Sequence, residues 1–300
     1  MTRPAAASSG VLGSLCRHAT ARCSRSLSTT SPSKSQSQSQ SQPPPPPLRG
    51  LIIGSPGSGK GTLSSRLLAA APSIHYLSGG DLLRAHISQR TELGKQAEQV
   101  IRDGGLMPDE TMMNMIRTEL ERQQSDEAAA SSSTSAKMST LLDGFPRTRR
   151  QAEMLDESLL RTGSDAGPPV NLVLHLDVPD DVVMSRILDR WIHEPSGRTY
   201  NDRFNPPKVK GHDDVTGEAL VKRVDDSPET IKARLQSFRK STQPMIDYYR
   251  RQSDEAQARA GAEAKPRPLY VCFTGTSSDE IWPRLREQVA MRFPGLFVEK

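Results

Sequence analysis

Four glycines, a lysine and a threonine lie together in the stretch Gly54–Thr62, which reads GSPGSGKGT and follows the apolar run 51–53. Glycine lets a backbone turn its N–H groups toward an anion, and Lys60 adds a mobile positive charge. Residues 63–71 predict a helix, so the loop would lie at a helix N-terminus, which also favours phosphate. The stretch therefore predicts a loop that binds the triphosphate of a nucleotide.

This loop departs from the common P-loop pattern at one position. The general pattern has Ser or Thr directly after the lysine, whereas here Gly61 intervenes and the hydroxyl group arrives at Thr62. The alternative is a glycine-rich turn with an incidental lysine. The strand and helix patterns on either side make that alternative the weaker one.

Asp143 and Arg147 follow a second buried strand, predicted at 140–142, in the sequence DGFPR. Ligands of open α/β sheets bind beyond the carboxyl ends of the strands, so both side chains should face the phosphate-binding loop. A carboxylate there can hold the water shell of Mg²⁺, and a guanidinium group can bind phosphate in a bidentate manner. The alternatives are a turn-forming aspartate and a surface arginine.

Four further arginines could bind phosphate: Arg186, Arg190, Arg223 and Arg234. A helix predicted at 180–190 places the first two on one face, four residues apart. The polar stretch 191–226 is rich in Pro, Gly, Asn and Asp and predicts short strands joined by turns, hence a candidate lid. A long helix is predicted from 229 to about 251. The alternative for these arginines is a solvated charged surface.

Short apolar runs alternate with helical patterns along the chain, which predicts an α/β fold with buried parallel strands. The strands are predicted at 51–53, 74–77, 140–142, 172–176 and 270–273. Further helices are predicted from 78, at 92–103, at 108–122 and at 279–291. We interpret the Ser- and Ala-rich segment 124–137 as a disordered insertion.

The formal charge of the 300-residue chain is +5, but the excess comes from its N-terminus. Residues 1–50 contain six Lys or Arg and no acidic residue, which leaves 34 basic against 35 acidic residues in the remainder. That balance argues against a nucleic-acid partner, and no apolar run is long enough to span a bilayer. Three cysteines in these positions suggest neither a disulfide framework nor a cysteine zinc site.

Residues 1–34 are basic, rich in Ser, Thr and Ala, and without acidic residues, which is typical of a mitochondrial transit peptide. An ordinary disordered tail is the alternative. Residues 35–47 repeat Ser-Gln four times and end in five prolines, which predicts a flexible linker with a stiff end. A folded domain of residues 48–300 would follow.

Five motifs in order resemble the adenylate kinase family of nucleoside monophosphate kinases, in its long-lid form. They are GSPGSGKGT, SGGDLLR (78–84), LLDGFPRT (141–148), RWIHEPSGRTYNDRFNPPK (190–208) and DDVTGE (213–218). The resemblance covers Leu48 to about Pro294. It implies a P-loop NTPase-type five-stranded parallel sheet flanked by helices, a helical AMP-binding region at 78–107, a small β-rich lid at 189–226, and a monomer.

The resemblance also implies a role for individual residues. Donor nucleotide would be bound by Gly57, Ser58, Gly59, Lys60, Gly61, Thr62, Arg186, Arg190, Thr199, Tyr200 and Ser277. AMP would be bound by Gly79, Arg84, Gly105, Leu106, Met107, Gly144, Arg147, Gln151, Arg223 and Arg234. Catalysis would rest on Lys60, Arg147, Arg190, Arg223 and Arg234. Mg²⁺ would be held through water by Thr62 and Asp143. The family commonly has Thr where Gly79 stands, so a side-chain contact with AMP is missing there.

Many lids in this family hold zinc with cysteines. The corresponding positions here are His193, Ser196, Asp213 and Thr216. These pairs keep the spacing but offer poor zinc ligands, so we expect hydrogen bonds in place of zinc.

The implied reaction is reversible phosphoryl transfer from Mg-GTP to AMP, because the segments 190–193 and 274–283 look most like the GTP-using branch of the mitochondrial matrix. An ATP:AMP kinase of the same fold is the first alternative. A regulatory GTPase switch is a remote alternative, since the chain has no Asn-Lys-x-Asp segment to read guanine. A helicase-type ATPase is disfavoured by the nearly neutral body of the chain.

Overall fold

A computed structural model describes residues 46–130, 138–162, 169–223, 226–258 and 268–298. The predicted transit peptide, 1–34, lies outside the described residues, as does the linker up to residue 45.

Five parallel strands form the central sheet, in the order β2-β3-β1-β4-β7. They are β1 (Arg49–Gly54), β2 (Ile74–Ser78), β3 (Ser139–Asp143), β4 (Leu172–Asp177) and β7 (Leu269–Thr274). The five-stranded parallel sheet predicted from the sequence is thereby confirmed. Ile52 of β1 is in register with Asp143 of β3, so the phosphate-binding loop and the predicted magnesium ligand follow neighbouring strand ends.

Nine α-helices are described, and side-chain caps begin several of them. They are α1 (Lys60–Ala70), α2 (Gly79–Ser88), α3 (Glu92–Arg102), α4 (Asp109–Ala130), α5 (Arg149–Thr162), α6 (Asp180–Leu188), α7 (Pro228–Ser237), α8 (Gln243–Ala258) and α9 (Ser278–Arg292). The side chains of Ser78, Thr91, Ser227 and Ser277 each accept a hydrogen bond from a backbone N–H in the first turn. Such caps explain why the helices begin where they do.

Hydrophobic side chains cover both faces of the sheet, in alternation along each strand. Leu51, Ile53 and Val173 pack on one face against residues of α4, α5 and α8. Ile52 and Leu174 belong to the opposite face, which α1 and α9 cover. Because neighbouring strand residues face opposite sides, each strand contributes to both layers.

The helix boundaries differ from the sequence-based predictions at two places. Helix α4 continues to Ala130, so the prediction of a disordered segment is wrong for 124–130, while 131–137 lies outside the described residues. Alanine favours a helix, and Arg122 pairs with Asp126 one turn later at 2.6 Å. Helix α6 ends at Leu188, and Arg190 begins a short strand, β5 (Arg190–Ile192), so the helical face predicted for Arg186 and Arg190 does not exist.

The long helix predicted at 229–251 is interrupted. Between α7 and α8 the chain forms a π-helical turn, Phe238–Thr242, in which the N–H of Gln243 donates to the carbonyl of Phe238. Nothing in the local sequence explains this turn. Phe238 and Thr242 of this turn line a cleft together with Lys60 and Arg147, and π-helical turns are frequent at functional sites.

Strands β5 (Arg190–Ile192) and β6 (Thr199–Asn201) pair in antiparallel fashion within the predicted lid. Isolated bridges join Ile192 to Val221 and His212 to Ala219. The lid region is therefore built of short strands and turns, as its composition predicts. Within the described ranges, no helix is long and apolar enough to cross a membrane.

Candidate active site

The phosphate-binding loop joins the end of β1 to the start of α1. Gly57 and Gly59 have φ angles of 77° and 95°, which glycine adopts without strain. A Cβ atom on Gly57 would also lie 2.7 Å from the Ile187 side chain. The turn is closed by a hydrogen bond of 3.1 Å from the N–H of Ser58 to the carbonyl of Ser55. The loop thus has the compact form that a phosphate site requires.

Lys60 reaches back across this loop. Its Nζ donates to the carbonyls of Gly54 and Ser55 at 2.8 and 2.9 Å. Burial lowers the pKa of Lys60 to about 8, and the neighbouring carboxylate of Asp143 opposes that shift. Through these two hydrogen bonds the ammonium group of Lys60 stabilises the loop conformation. The same group lies where it could bind a phosphate in the loop.

Asp143 ends β3 beside the loop and is buried. The hydroxyl of Tyr76 donates to its Oδ2 at 2.8 Å. Burial raises the pKa of Asp143, while the charge of Lys60 and the Tyr76 hydrogen bond oppose that rise. A carboxylate at this strand end and the hydroxyl of Thr62 in α1 are hard oxygen donors, which fit Mg²⁺.

A single cleft brings together ten of the predicted residues. They are Lys60, Gly79, Arg84, Gly105, Leu106, Met107, Gly144, Arg147, Gln151 and Arg234. The apolar part of the wall includes Leu83, Val100, Ile101 and Phe238. A cleft with apolar walls, several guanidinium groups and one amide suits a nucleoside monophosphate beside a phosphate-binding loop.

Gln151 is held in place by a network that the sequence analysis missed. Its Oε1 accepts from the backbone N–H of Arg147 at 2.7 Å, and its Nε2 donates to Asp109 Oδ1 at 2.9 Å. The Thr148 hydroxyl donates to the same oxygen of Asp109 at 2.9 Å. With a side chain that is 1% exposed, Gln151 has a fixed orientation at the cleft wall.

The arginines at the mouth of the cleft are oriented by acceptors. Arg147 Nε donates to the carbonyl of Gly144 at 2.9 Å, and Arg84 pairs with Asp81. Arg84 lowers the pKa of Asp81, against the effect of burial, and Arg223 also lowers it through its charge. Each guanidinium group therefore stands near a partner that limits its orientations.

Asp226 joins two of the predicted phosphate-binding arginines. Its carboxylate pairs with Arg190 through Nε at 2.9 Å and through Nη2, and lies 3.7 Å from Arg234 Nη1. The Asp226 side chain is 2% exposed. This shared carboxylate places two positive charges side by side at the junction of the lid and α7. The sequence could have indicated this contact, because Asp226 is an acidic residue between Arg223 and Arg234.

Arg186 lies between the phosphate-binding loop and the segment that follows β7. Its guanidinium donates to the carbonyls of Gly57 at 3.3 Å and Thr276 at 2.6 Å. It also stacks on the ring of Phe204 in the lid, with 5.1 Å from Cζ to the ring centroid. An arginine in this position can face the base of a nucleotide whose phosphates occupy the loop.

Two residues expected to contact the donor have other partners. Tyr200 is buried in the lid, where its hydroxyl donates to Asp213 and accepts from the N–H of Asp214, both at 2.9 Å. Ser277 caps α9 by accepting from the N–H of Glu280 at 3.1 Å. The predicted donor contact at 199–200 is thus left to the backbone and to Thr199.

The four lid positions that could have held zinc are joined by hydrogen bonds. His193 Nδ1 lies 2.7 Å from the Ser196 hydroxyl, and the Thr216 hydroxyl donates to Asp213 at 3.1 Å. The Thr216 hydroxyl also lies 3.3 Å from His193 Nε2, which links the two pairs. Among the residues that the structure describes, no cluster of three or more His, Cys, Asp or Glu could hold a metal ion.

Arg198 adds a strong contact to this cluster. Its Nε and Nη2 donate to Asp213 at 2.8 and 2.6 Å, which makes a bidentate pair. The guanidinium of Arg198 and the backbone N–H of Thr216 hold the pKa of Asp213 well below its usual range. Asp213 is thus the centre of the lid's polar core.

A family model described as adenylate kinase matches residues 52–254. A mitochondrial GTP:AMP phosphotransferase of Saccharomyces cerevisiae is 40% identical over 82% of this chain and 94% of its own length. A second protein of that name, from strain S288c of the same yeast, is 45% identical over 68% of this chain and 85% of its own length. An adenylate kinase of Yarrowia lipolytica is 43% identical over 68% of this chain and 75% of its length.

These matches agree with the geometry. The family model covers more than half of the chain, including the phosphate-binding loop, the cleft and the lid. The aligned regions cover most of the length of each of these two relatives. The chain belongs to the adenylate kinase family.

Proposed function

We propose that the protein transfers a phosphoryl group reversibly between GTP and AMP, giving GDP and ADP, with Mg²⁺. The observation that carries the proposal is the cleft in which Lys60, Arg84, Arg147, Arg234 and Gln151 meet beside the phosphate-binding loop. Two relatives are named as GTP:AMP phosphotransferases, which supports GTP as the donor.

Each group would have a distinct task in this reaction. The loop N–H groups and Lys60 bind the donor phosphates, and Arg84 and Arg147 hold the phosphate of AMP. The amide of Gln151 can pair with the adenine base, since it offers both a donor and an acceptor. Arg234 at the cleft, and Arg190 once the lid has closed, would supply positive charge that stabilises the transferring group.

Mg²⁺ would be held by Thr62 and Asp143, and would neutralise phosphate charge when bound. The Tyr76 hydrogen bond orients the carboxylate toward that task. No covalent nucleophile is required, since phosphoryl transfer of this class depends on positioning and electrostatics. We propose no zinc ion in the lid. One stoichiometric zinc ion in the purified protein would contradict this.

Closure of the lid would exclude water and bring Arg190 toward the transferring phosphate. The proposed setting is the mitochondrial matrix, which the basic residues at 1–34 and the word mitochondrial in two relatives' names support. A monomer is also proposed, following the expectation from the family resemblance.

A second candidate, transfer from ATP to AMP, has its own support, because some relatives are named simply adenylate kinase. The test is initial phosphoryl transfer to AMP by the full chain, with Mg-GTP or Mg-ATP as donor. Clear preference for GTP supports the proposal, and preference for ATP supports the second candidate. Transfer with neither donor refutes both.

A further inference from the structure

Three arginines surround the segment Thr274–Ser278, which runs from the last residue of β7 to the first residue of α9. Each donates a hydrogen bond to a different backbone carbonyl of this segment, and the three come from different helices. Arg284 Nη1 donates to Thr274 at 3.3 Å, Arg186 Nη2 to Thr276 at 2.6 Å, and Arg66 Nη1 to Ser278 at 3.4 Å. Alternate carbonyls of the segment thus face a guanidinium group.

This segment lies directly beside the phosphate-binding loop. A Cβ atom on Gly59 would be 3.0 Å from the Ser278 hydroxyl. Arg186 also joins the two by bonding to Gly57 of the loop. A nucleotide with its phosphates in the loop therefore has this segment within reach of its base.

The arginines change both the hydrogen-bond acceptors and the charge that the segment presents to a base. Adenine carries an amino group, a donor, at the position where guanine carries O6, an acceptor. A carbonyl that accepts from a guanidinium has less capacity for an amino group, and the positive charge repels the amino hydrogens. The same charge attracts O6.

We propose that Arg66 and Arg284, together with Arg186, set the preference for guanine over adenine at the donor site by occupying the carbonyls of Ser278, Thr274 and Thr276, respectively. This inference rests on the proposed function and names the physical basis of its donor choice. Arg66 and Arg284 act as positioning residues through the backbone.

Arg66 is anchored for this role. Besides the Ser278 carbonyl, it pairs with Asp279 through Nη2 at 2.6 Å, and its side chain is 36% exposed. Arg284 lies over the ring of Phe273, 5.7 Å from Cζ to the centroid. The backbone N–H of Thr276 donates to Glu280 at 2.9 Å, which fixes the segment further.

The test compares kcat/KM for Mg-GTP and Mg-ATP, at saturating AMP, in Arg66→Gln and Arg284→Gln. We expect the GTP:ATP ratio to fall by about threefold to tenfold in each, the worth of one hydrogen bond, with KM for AMP unchanged. Arg66→Lys should restore part of the ratio, because it keeps the charge. Arg286→Gln is the matched control on α9, where that arginine stacks on Phe297.

An unchanged GTP:ATP ratio would overturn the inference. If that ratio stays constant while activity falls equally with both donors, the arginines are merely structural. Failure of the proposed function is a separate outcome, since it is read from the unaltered protein. If the unaltered protein prefers ATP, the proposed donor is wrong. The inference about the arginines then still requires the GTP:ATP ratio of kcat/KM to be lower in the variants than in the unaltered protein. Calorimetric binding of each donor gives the same comparison without turnover.

Discussion

Arg190 and Asp226 form a bidentate ion pair, with 2.9 Å between Arg190 Nε and Asp226 Oδ2, at the point where the lid returns to α7. The Arg190 side chain is 16% exposed and that of Asp226 is 2% exposed. Because Asp226 also lies near Arg234, one buried carboxylate orients both arginines before any phosphate arrives.

Asp226→Asn should lower the thermal stability of the protein without nucleotide. Removing one partner of a buried ion pair typically costs about 3–5 kcal/mol. Bound GTP with Mg²⁺ should restore part of the loss, since phosphate oxygens can take the carboxylate's place. The measurement is thermal unfolding with and without nucleotide, and Asp254→Asn on the exposed side of α8 is the control. The same nucleotide-induced rise in both variants would contradict the prediction.

Lys60→Ala and Arg147→Ala should leave a folded protein that is nearly inactive. A cationic group that acts on a transferring phosphoryl group is worth about 10³ to 10⁵ in rate. Steady-state transfer from GTP to AMP measures the loss, and circular dichroism checks the fold. Arg149→Ala removes a neighbouring surface arginine that pairs with Glu153, and should retain activity. Near-normal activity in either test variant would refute the role of that residue.

Asp109→Ala should raise KM for AMP by about tenfold, because Gln151 would lose the partner that orients its amide. We expect kcat and KM for GTP to change little, since the donor site does not involve this network. Initial rates at varied AMP provide the measurement. Glu110→Ala, an exposed neighbour, serves as the control. A change in KM for GTP as large as that for AMP would argue against the assignment.

Tyr76→Phe should increase the Mg²⁺ concentration that gives half-maximal activity. The hydroxyl orients the Asp143 carboxylate, and loss of such a partner typically weakens metal affinity by about 10–100-fold. Activity is titrated with Mg²⁺ at fixed GTP and AMP. Tyr248→Phe removes a similar hydrogen bond, to Asp156, away from the loop. If both variants respond alike to Mg²⁺, Tyr76 has no special part in the metal site.

Asp156→Asn should stabilise the protein at neutral pH. Burial between α5 and α8 raises the pKa of Asp156 from 3.8 to about 6, although the Tyr248 hydroxyl donates to it at 2.9 Å. The folded state therefore binds the proton more tightly than the unfolded state. The resulting cost to stability is present above about pH 6 and disappears as pH falls toward 4.

We thus expect Asp156→Asn to raise the free energy of unfolding by about 1–3 kcal/mol at pH 7.5 and by nothing near pH 4. Urea unfolding at several pH values measures this difference. Asp254→Asn, at an exposed position of α8, is the control. A gain that persists at pH 4 would show that something other than the carboxylate's charge is responsible.

Much of the fold was predictable because its signals are local. Gly54–Thr62 carries its own conformational requirement, and the apolar runs at 51–53 and 172–176 are short and bounded by turn residues, as is typical of buried parallel strands. The end of α6 was not predictable, because Arg190 leaves the helix to pair with Asn201 of β6. Strand pairing of this kind depends on a partner that the local sequence does not contain.

The sequence by itself determined which residues are candidates for the chemistry, since the glycines, Lys60, Asp143 and the arginines are distinguished by type and spacing. Only the tertiary structure decided how these groups are oriented. The contact between Tyr76 and Asp143, and those of Asp109 with Gln151 and Arg66 with Ser278, join residues that are 42 to 212 positions apart. Such contacts form when whole elements pack, so no pattern within one segment can reveal them.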